Sequence, residues 1–222
     1  EARAARPLLA GALILRSVVV ACDDASMDDS TATEHPIFEI MRTTRAMRRL
    51  RPDPVPDALI RTILDAALCA PSGGNSQPWS FLVVKDPEVK RRVQHFYALA
   101  FAQYVKPMYD AAPPPPGMDA NGFQGQISAV THLTEHFHEA PVWIVACLDN
   151  GERPPTAGSG ASIYPAVQNI LLAARALGLG ATLTNRHMAY RSEVDEIFGL
   201  PSTVSSFAIV PIGYPEGSFG PV

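Results

Sequence analysis

Cysteine is scarce in this 222-residue sequence: Cys22, Cys69 and Cys147 stand far apart, which supplies neither a disulfide framework nor a CxxC metal or redox pair. A reducing compartment, the cytoplasm, is the expected location. Neither sign of charge is in large excess, since 18 Lys and Arg against 22 Asp and Glu leave a formal −4. Global attraction to nucleic acid or an anionic membrane is therefore excluded. Long apolar runs are missing as well: the stretch at residues 7–21 is broken by Arg16 and is too short to span a bilayer. No internal repeat and no second domain boundary is visible. What remains, 47% hydrophobic and 18% charged residues, fits one globular domain able to bury a core.

At the start, Arg3, Arg6, the apolar run and Val19-Val20-Ala21-Cys22 imitate a secretory signal with a lipid-attachment cysteine, but Arg16 interrupts the apolar region. The alternative is translation from Met27 followed by a polar leader. Residues 1–33 are thus expected to be a non-native or disordered extension, with one domain over residues 34–222. Continuous apolar runs at 81–84, 142–148 and 207–212 are short enough to be strands buried on both faces. Helices are expected at 36–44, 56–70, 87–105, 126–138, 162–177 and 191–198, with a short strand at 181–184 after Gly178 and Gly180. A sheet covered by helices follows. The Pro113–Pro116 run lies in an expected loop at 106–125, either a lid or a variable surface insertion.

Three segments carry chemistry. Arg42, Arg45, Arg48, Arg49 and Arg51 put five guanidinium groups into ten residues, able to bind phosphate bidentately or simply to face water. The loop Pro71-Ser72-Gly73-Gly74-Asn75-Ser76-Gln77-Pro78-Trp79 allows close backbone approach at its glycines and offers two amides that donate and accept. Residues 178–185, with Thr184, emerge at a strand end, where α/β folds commonly place ligands.

Taken in order, residues 45–50 followed by Pro54-Val55-Pro56, the 70–79 loop, the 162–184 helix and strand, and Pro211-Ile212-Gly213-Tyr214-Pro215 resemble the nitroreductase family of flavin mononucleotide (FMN) oxidoreductases. The longer middle segment and its proline-rich run make the chain look closer to the actinobacterial-type nitroreductases and the iodotyrosine deiodinase branch than to the compact bacterial enzymes. The resemblance implies an α+β fold, a three-layer sandwich with a mixed sheet flanked by helices. It implies FMN as cofactor and NADH or NADPH as electron donor, with hydride passing through the flavin N5 to a nitroaromatic, quinone or similar acceptor in a ping-pong cycle. Arg45 and Arg48 would serve the flavin phosphate and ribityl or pyrimidine side, with backbone contacts from Ala46 and Met47. Pro71, Ser72, Gly73 and Asn75 would approach the ring, and Leu183, Thr184 and Asn185 its N5 side. No catalytic side chain is required. Ala46 stands where many relatives have serine, and Asn185 where many have threonine or an acid, which leaves open a flavin-binding or storage protein with little turnover. The family is a homodimer with flavin at the interface and a C-terminal arm wrapping the partner. Here the sequence ends soon after the last strand, so a domain lacking that arm is expected. No nucleic acid or membrane partner is implied.

His132-Leu133-Thr134-Glu135-His136 spells the inverted zinc-protease pattern. The competing reading is an ordinary polar helix face, because a third ligand is not distinguished by the sequence. Trp79, Trp143 and Tyr164 read as core or interface aromatics, and Cys69 as an inert buried thiol.

Overall fold

Strand β2 (Val142–Asp149) is buried at every position but the last, and its pleat sends successive side chains to opposite faces. Val142, Ile144, Ala146 and Leu148 enter one core, while Trp143, Val145 and Cys147 enter another. A strand buried on both sides needs helices on both. The computed structural model, which describes residues 35–220, supplies them. The expected leader, Cys22, Met27 and the last two residues lie outside the described residues.

β2 sits between β1 (Trp79–Val84) and β4 (Val204–Gly213), and β3 (Gly180–Ala181) borders β4. α1 (Pro36–Thr43), α2 (Asp57–Leu68) and α6 (Ala157–Ala176) form the layer over the first core, with α1 resting on α6. α3 (Pro87–Ala100), α5 (Ala120–His136) and α7 (Arg191–Phe198) cover the second. This is the expected α+β three-layer arrangement. All the pairings among the described residues are antiparallel, however, so the sheet here is not mixed. A parallel pair needs a connection that carries the chain from one end of the sheet back to the opposite end, and no hydrogen-bonded neighbours here run in the same direction.

The expected loop at 106–125 is largely helical. α4 (Lys106–Ala111) continues α3 through a π-helical stretch, Phe101–Val105, and α5 begins at Ala120 because the Asp119 carboxylate accepts from the Gly122 N–H at 2.7 Å. Only the proline-rich turn stays irregular. Cys69 is exposed rather than buried, since it caps the end of α2 beyond the Ile60, Ile63 and Ala67 stripe. Trp143 is fully buried, and Trp79 and Tyr164 pack against the first core.

One irregularity carries a pH response. Between β2 and β4 the register steps from Ala146 opposite Ala208 to Cys147 opposite Ser206, a bulge that leaves Phe207 unpaired and turns Ser206 toward the second core. There the Ser206 hydroxyl donates to the Asp195 carboxylate and accepts from His187 Nε2 at 3.0 Å. Burial, reinforced by the charge of Arg191, pushes His187 down to about 3. Because the folded value lies below the unfolded one near 6.5, the unfolded chain binds the extra proton below that pH. Asp195, held above its ordinary value by burial, pulls the other way only around and above its own unfolded value. We expect chemical-denaturation stability to fall between pH 6.5 and pH 5 with a limiting slope of about 1.4 kcal/mol per pH unit, and to flatten in His187→Gln.

Candidate functional site

α1 ends because two hydroxyls turn back on it: Thr43 Oγ1 donates to the Glu39 carbonyl at 2.7 Å and Thr44 Oγ1 to the Ile40 carbonyl at 2.6 Å. The chain then runs extended along the β3 and β4 end of the sheet. Met47 N–H donates to the Ala181 carbonyl (3.0 Å), Arg51 N–H to Tyr214 (2.8 Å), and Glu216 N–H to Arg49 (3.1 Å). Those bonds bury Met47 and leave Arg45 and Ala46 exposed, with Arg48 half-buried.

Such close docking is possible because position 180 is glycine. A Cβ there would lie 2.8 Å from Leu50 Cδ2, 3.0 Å from Met47 Cβ and 3.2 Å from Pro215 Cβ. Gly180→Ala should therefore lift the arginine segment off the sheet at a cost of about 1–3 kcal/mol. Thermal unfolding, read beside ligand affinity, checks both consequences.

The arginines divide by partner. Arg42 faces Glu39 at 3.8 Å and Arg51 faces Asp53 at 3.6 Å, whereas Arg45, Arg48 and Arg49 form no ion pair among the described residues. Burial holds the Arg48 guanidinium below its ordinary value, and neighbouring Arg186 acts in the same direction against the phenols of Tyr109 and Tyr97. Arg45, Ala46, Met47, Arg48 and Arg49 line a cavity of about 470 Å³, closed opposite by Gly122, Gly125, Gln126 and Ala129 of α5. Glycine and alanine at those positions keep the wall low.

The strand-end segment joins this region through the Met47 to Ala181 bond. Thr184 is buried, its N–H and carbonyl both paired with Ile209 (3.1 and 2.9 Å) and its hydroxyl 2.9 Å from Tyr97 Oη. Leu183 and Asn185 alternate outward, the former 39% exposed. Tyr97 escaped the sequence reading, although its place on the apolar stripe of α3 with Val93 and Ala100 was a usable signal. Arg186 also escaped, since one arginine at a strand end has no distinguishing pattern.

The Pro71–Gln77 loop lies elsewhere. Ser72 Oγ accepts from the Gln77 N–H (3.0 Å), Gly73 N–H donates to Ser162 Oγ on α6 (3.2 Å), and Asn75 Oδ1 accepts from Gln77 Nε2 (3.0 Å). Gly74, Asn75 and Gln77 are left-handed, with φ of 59°, 54° and 47°, a conformation uncommon for glutamine and typical of functional loops. Ser76 and Pro78 border a different cavity, of about 820 Å³, with Ser162 and the 148–156 turn. No hydrogen bond or ion pair among the described residues joins this loop to the arginine segment. Within one protomer the arginine segment is thus bonded to Ala181, two residues before Leu183, and to nothing in residues 71–75.

The zinc pattern is disarmed by its neighbours. Arg49 donates to His132 Nδ1 at 2.9 Å and His136 Nδ1 pairs with Glu139 at 3.0 Å, so a cation already occupies one ring nitrogen. Burial, then Arg49 and His136, lower the His132 pKa. Among the described residues no three His, Cys, Asp or Glu converge to hold a metal ion.

Comparison with known proteins matches this architecture. A relative from Thermus thermophilus, an NADH dehydrogenase, is 35% identical over 182 residues, covering 77% of this chain and 82% of its own. The structure of an oxidized iodotyrosine deiodinase bound to FMN and 3-iodo-L-tyrosine superposes with TM-score 0.65 at 23% identity, over 84% of this chain and 93% of that one. A nitroreductase with bound FMN from Desulfitobacterium hafniense DCB-2 gives TM-score 0.62 at 22% identity, over 85% and 93%. The family model described as "Nitroreductase family" matches residues 41–214, spanning the arginine segment, both loops and every strand. The chain belongs to the nitroreductase family.

Proposed function

We propose that the protein is an FMN-dependent NAD(P)H oxidoreductase. The observation that supports this most directly is the cavity lined by Arg45, Arg48 and Arg49, three guanidinium groups without carboxylate partners among the described residues. That donor set fits a phosphate-bearing cofactor: guanidinium groups match phosphate oxygens bidentately, and Gly125 leaves open space where a Cβ would stand.

Arg45 and Arg48 hold the phosphate and ribityl or pyrimidine side, and the backbone of Ala46 and Met47 fixes their spacing through the Ala181 bond. Leu183 and Asn185 face the ring, while Thr184, tied to Tyr97 and Ile209, positions both. Pro71, Ser72, Gly73 and Asn75 complete the site from a second copy, because within one chain that loop borders another cavity. When bound, the flavin supplies hydride acceptance at N5 from NADH or NADPH and onward electron transfer to a nitroaromatic, quinone or similar acceptor. The side chains bind, orient and exclude water, with no acid–base residue.

The test is the visible spectrum of the protein reconstituted with FMN, followed during anaerobic addition of NADH or NADPH. Retained flavin bands that bleach support the oxidoreductase; bands that persist would instead favour a flavin-binding protein with little turnover, and a protein that ignores FMN overturns both. Among the described residues no helix is long and apolar enough to cross a membrane.

A further inference from the structure

Arg49 lines the same cavity as Arg45 and Arg48, and the foregoing reading leaves it without a task. An arginine at an exposed position of an extended segment samples many rotamers, so a ligand that recruits it must immobilise it. Arg49 occupies such a position, yet its fork is already tied at one end. Nη1 donates to His132 Nδ1 on α5 at 2.9 Å, and its backbone carbonyl accepts from the Glu216 N–H at 3.1 Å.

A guanidinium carries only donors, so this bond requires a lone pair at Nδ1, and His132 is neutral there with its proton on Nε2. The surroundings favour that state. His132 is half-buried and stacks on His136 at 4.3 Å, and His136 Nδ1 pairs with Glu139. Arg48 walls both the arginine cavity and a smaller one, of about 190 Å³, that it lines with His132, His136, Glu139 and Glu216. Burial, Arg49 and His136 hold the His132 pKa down against the pull of Glu216 and Glu139. The tie takes one of the five guanidinium donors of Arg49, and four remain for an anion.

We propose that His132 is a positioning residue for the cofactor phosphate: its neutral ring holds Arg49 at the cavity as a third anchor beside Arg45 and Arg48, and protonating the ring releases that anchor. The proposal rests on the oxidoreductase reading above. A protonated imidazole presents N–H groups at both nitrogens, so donor would face donor and Arg49 would regain its freedom.

The experiment titrates FMN, and riboflavin, which lacks the phosphate, into the parent, Arg49→Gln, His132→Ala, the double variant and His132→Asn at pH 8. Affinity for FMN should fall about tenfold in Arg49→Gln and about two- to tenfold in His132→Ala, the effect of one long side chain left for the ligand to immobilise. The double variant should lose no more than Arg49→Gln, because His132 acts through Arg49 alone. His132→Asn, whose side-chain carbonyl can replace the acceptor at Nδ1, should keep most of the affinity. Riboflavin should bind all five proteins alike, which also reports that each is folded. Additive losses in the double variant, or equal losses for riboflavin, overturn the proposal. Repeated at falling pH, with the His132 ring protons followed by NMR, the coupling between positions 132 and 49 should vanish as the ring takes its proton. Titration of the phosphate and the direct field of the new charge cancel in such a cycle, and a coupling that outlasts protonation overturns the proposal. FMN bound equally by all five would do the same and leave the flavoenzyme reading standing. If neither flavin binds, calorimetric titration of sulfate into the same proteins decides: coupled losses support the His132 role while sinking the flavoenzyme reading, and no sulfate binding overturns both.

Discussion

Arg48→Ala is expected to weaken FMN binding about tenfold to 150-fold, the equivalent of roughly 1.5–3 kcal/mol for one charge-assisted contact, and Arg45→Ala to weaken it by less. Position sets the difference. Arg45 is exposed and Arg48 half-buried, so the Arg45 contact is screened by salt while that of Arg48 is partly sheltered. Flavin fluorescence titrations at low and high ionic strength should show the Arg45 effect shrinking faster. Stability should move the other way: a half-buried guanidinium that forms no ion pair among the described residues and is disfavoured by burial opposes folding, so the thermal midpoint of apo Arg48→Ala should match or exceed that of the parent. Unchanged flavin affinity in both variants would return the basic segment to a solvated surface.

Tyr97→Ala should be the most damaging single change near the site, at about 3–5 kcal/mol, or a fall of about 6–20 °C in thermal midpoint for a chain of this size. The ring is fully buried, stacked on Phe137 and beneath Arg186, and its removal opens a cavity at the meeting point of α3, the Thr184 segment and β2. Tyr97→Phe separates packing from hydrogen bonding. It keeps the stack and loses only the 2.9 Å contact to Thr184 Oγ1, costing about 0.5–1.5 kcal/mol. Thermal unfolding ranks the two. If phenylalanine proved as harmful as alanine, the hydroxyl and not the stack would be the anchor of the Thr184 segment.

Patterns of neighbouring residues made much of this molecule readable before its shape was known. The apolar run of β2 required helices on both faces, and Arg191–Phe198 is helical over the expected span. The stretch between α3 and α5 departs from the expected loop because prolines govern only part of it: Pro107 starts a helix and Asp119 caps the next. Cys69 is exposed despite its alanine-rich surroundings because only one stripe of a helix is buried.

Composition and local order therefore determined a sheet covered by helices, the basic segment and the polar loop, because these depend on periodicity and on residues adjacent in the chain. The anchoring of Thr184 by Tyr97 and the seating of residues 45–51 against Gly180 came from the folded arrangement alone. Each joins segments about ninety to more than a hundred residues apart, and such contacts are fixed by how helices and sheet pack and by where a side chain's Cβ fits, which no local pattern encodes.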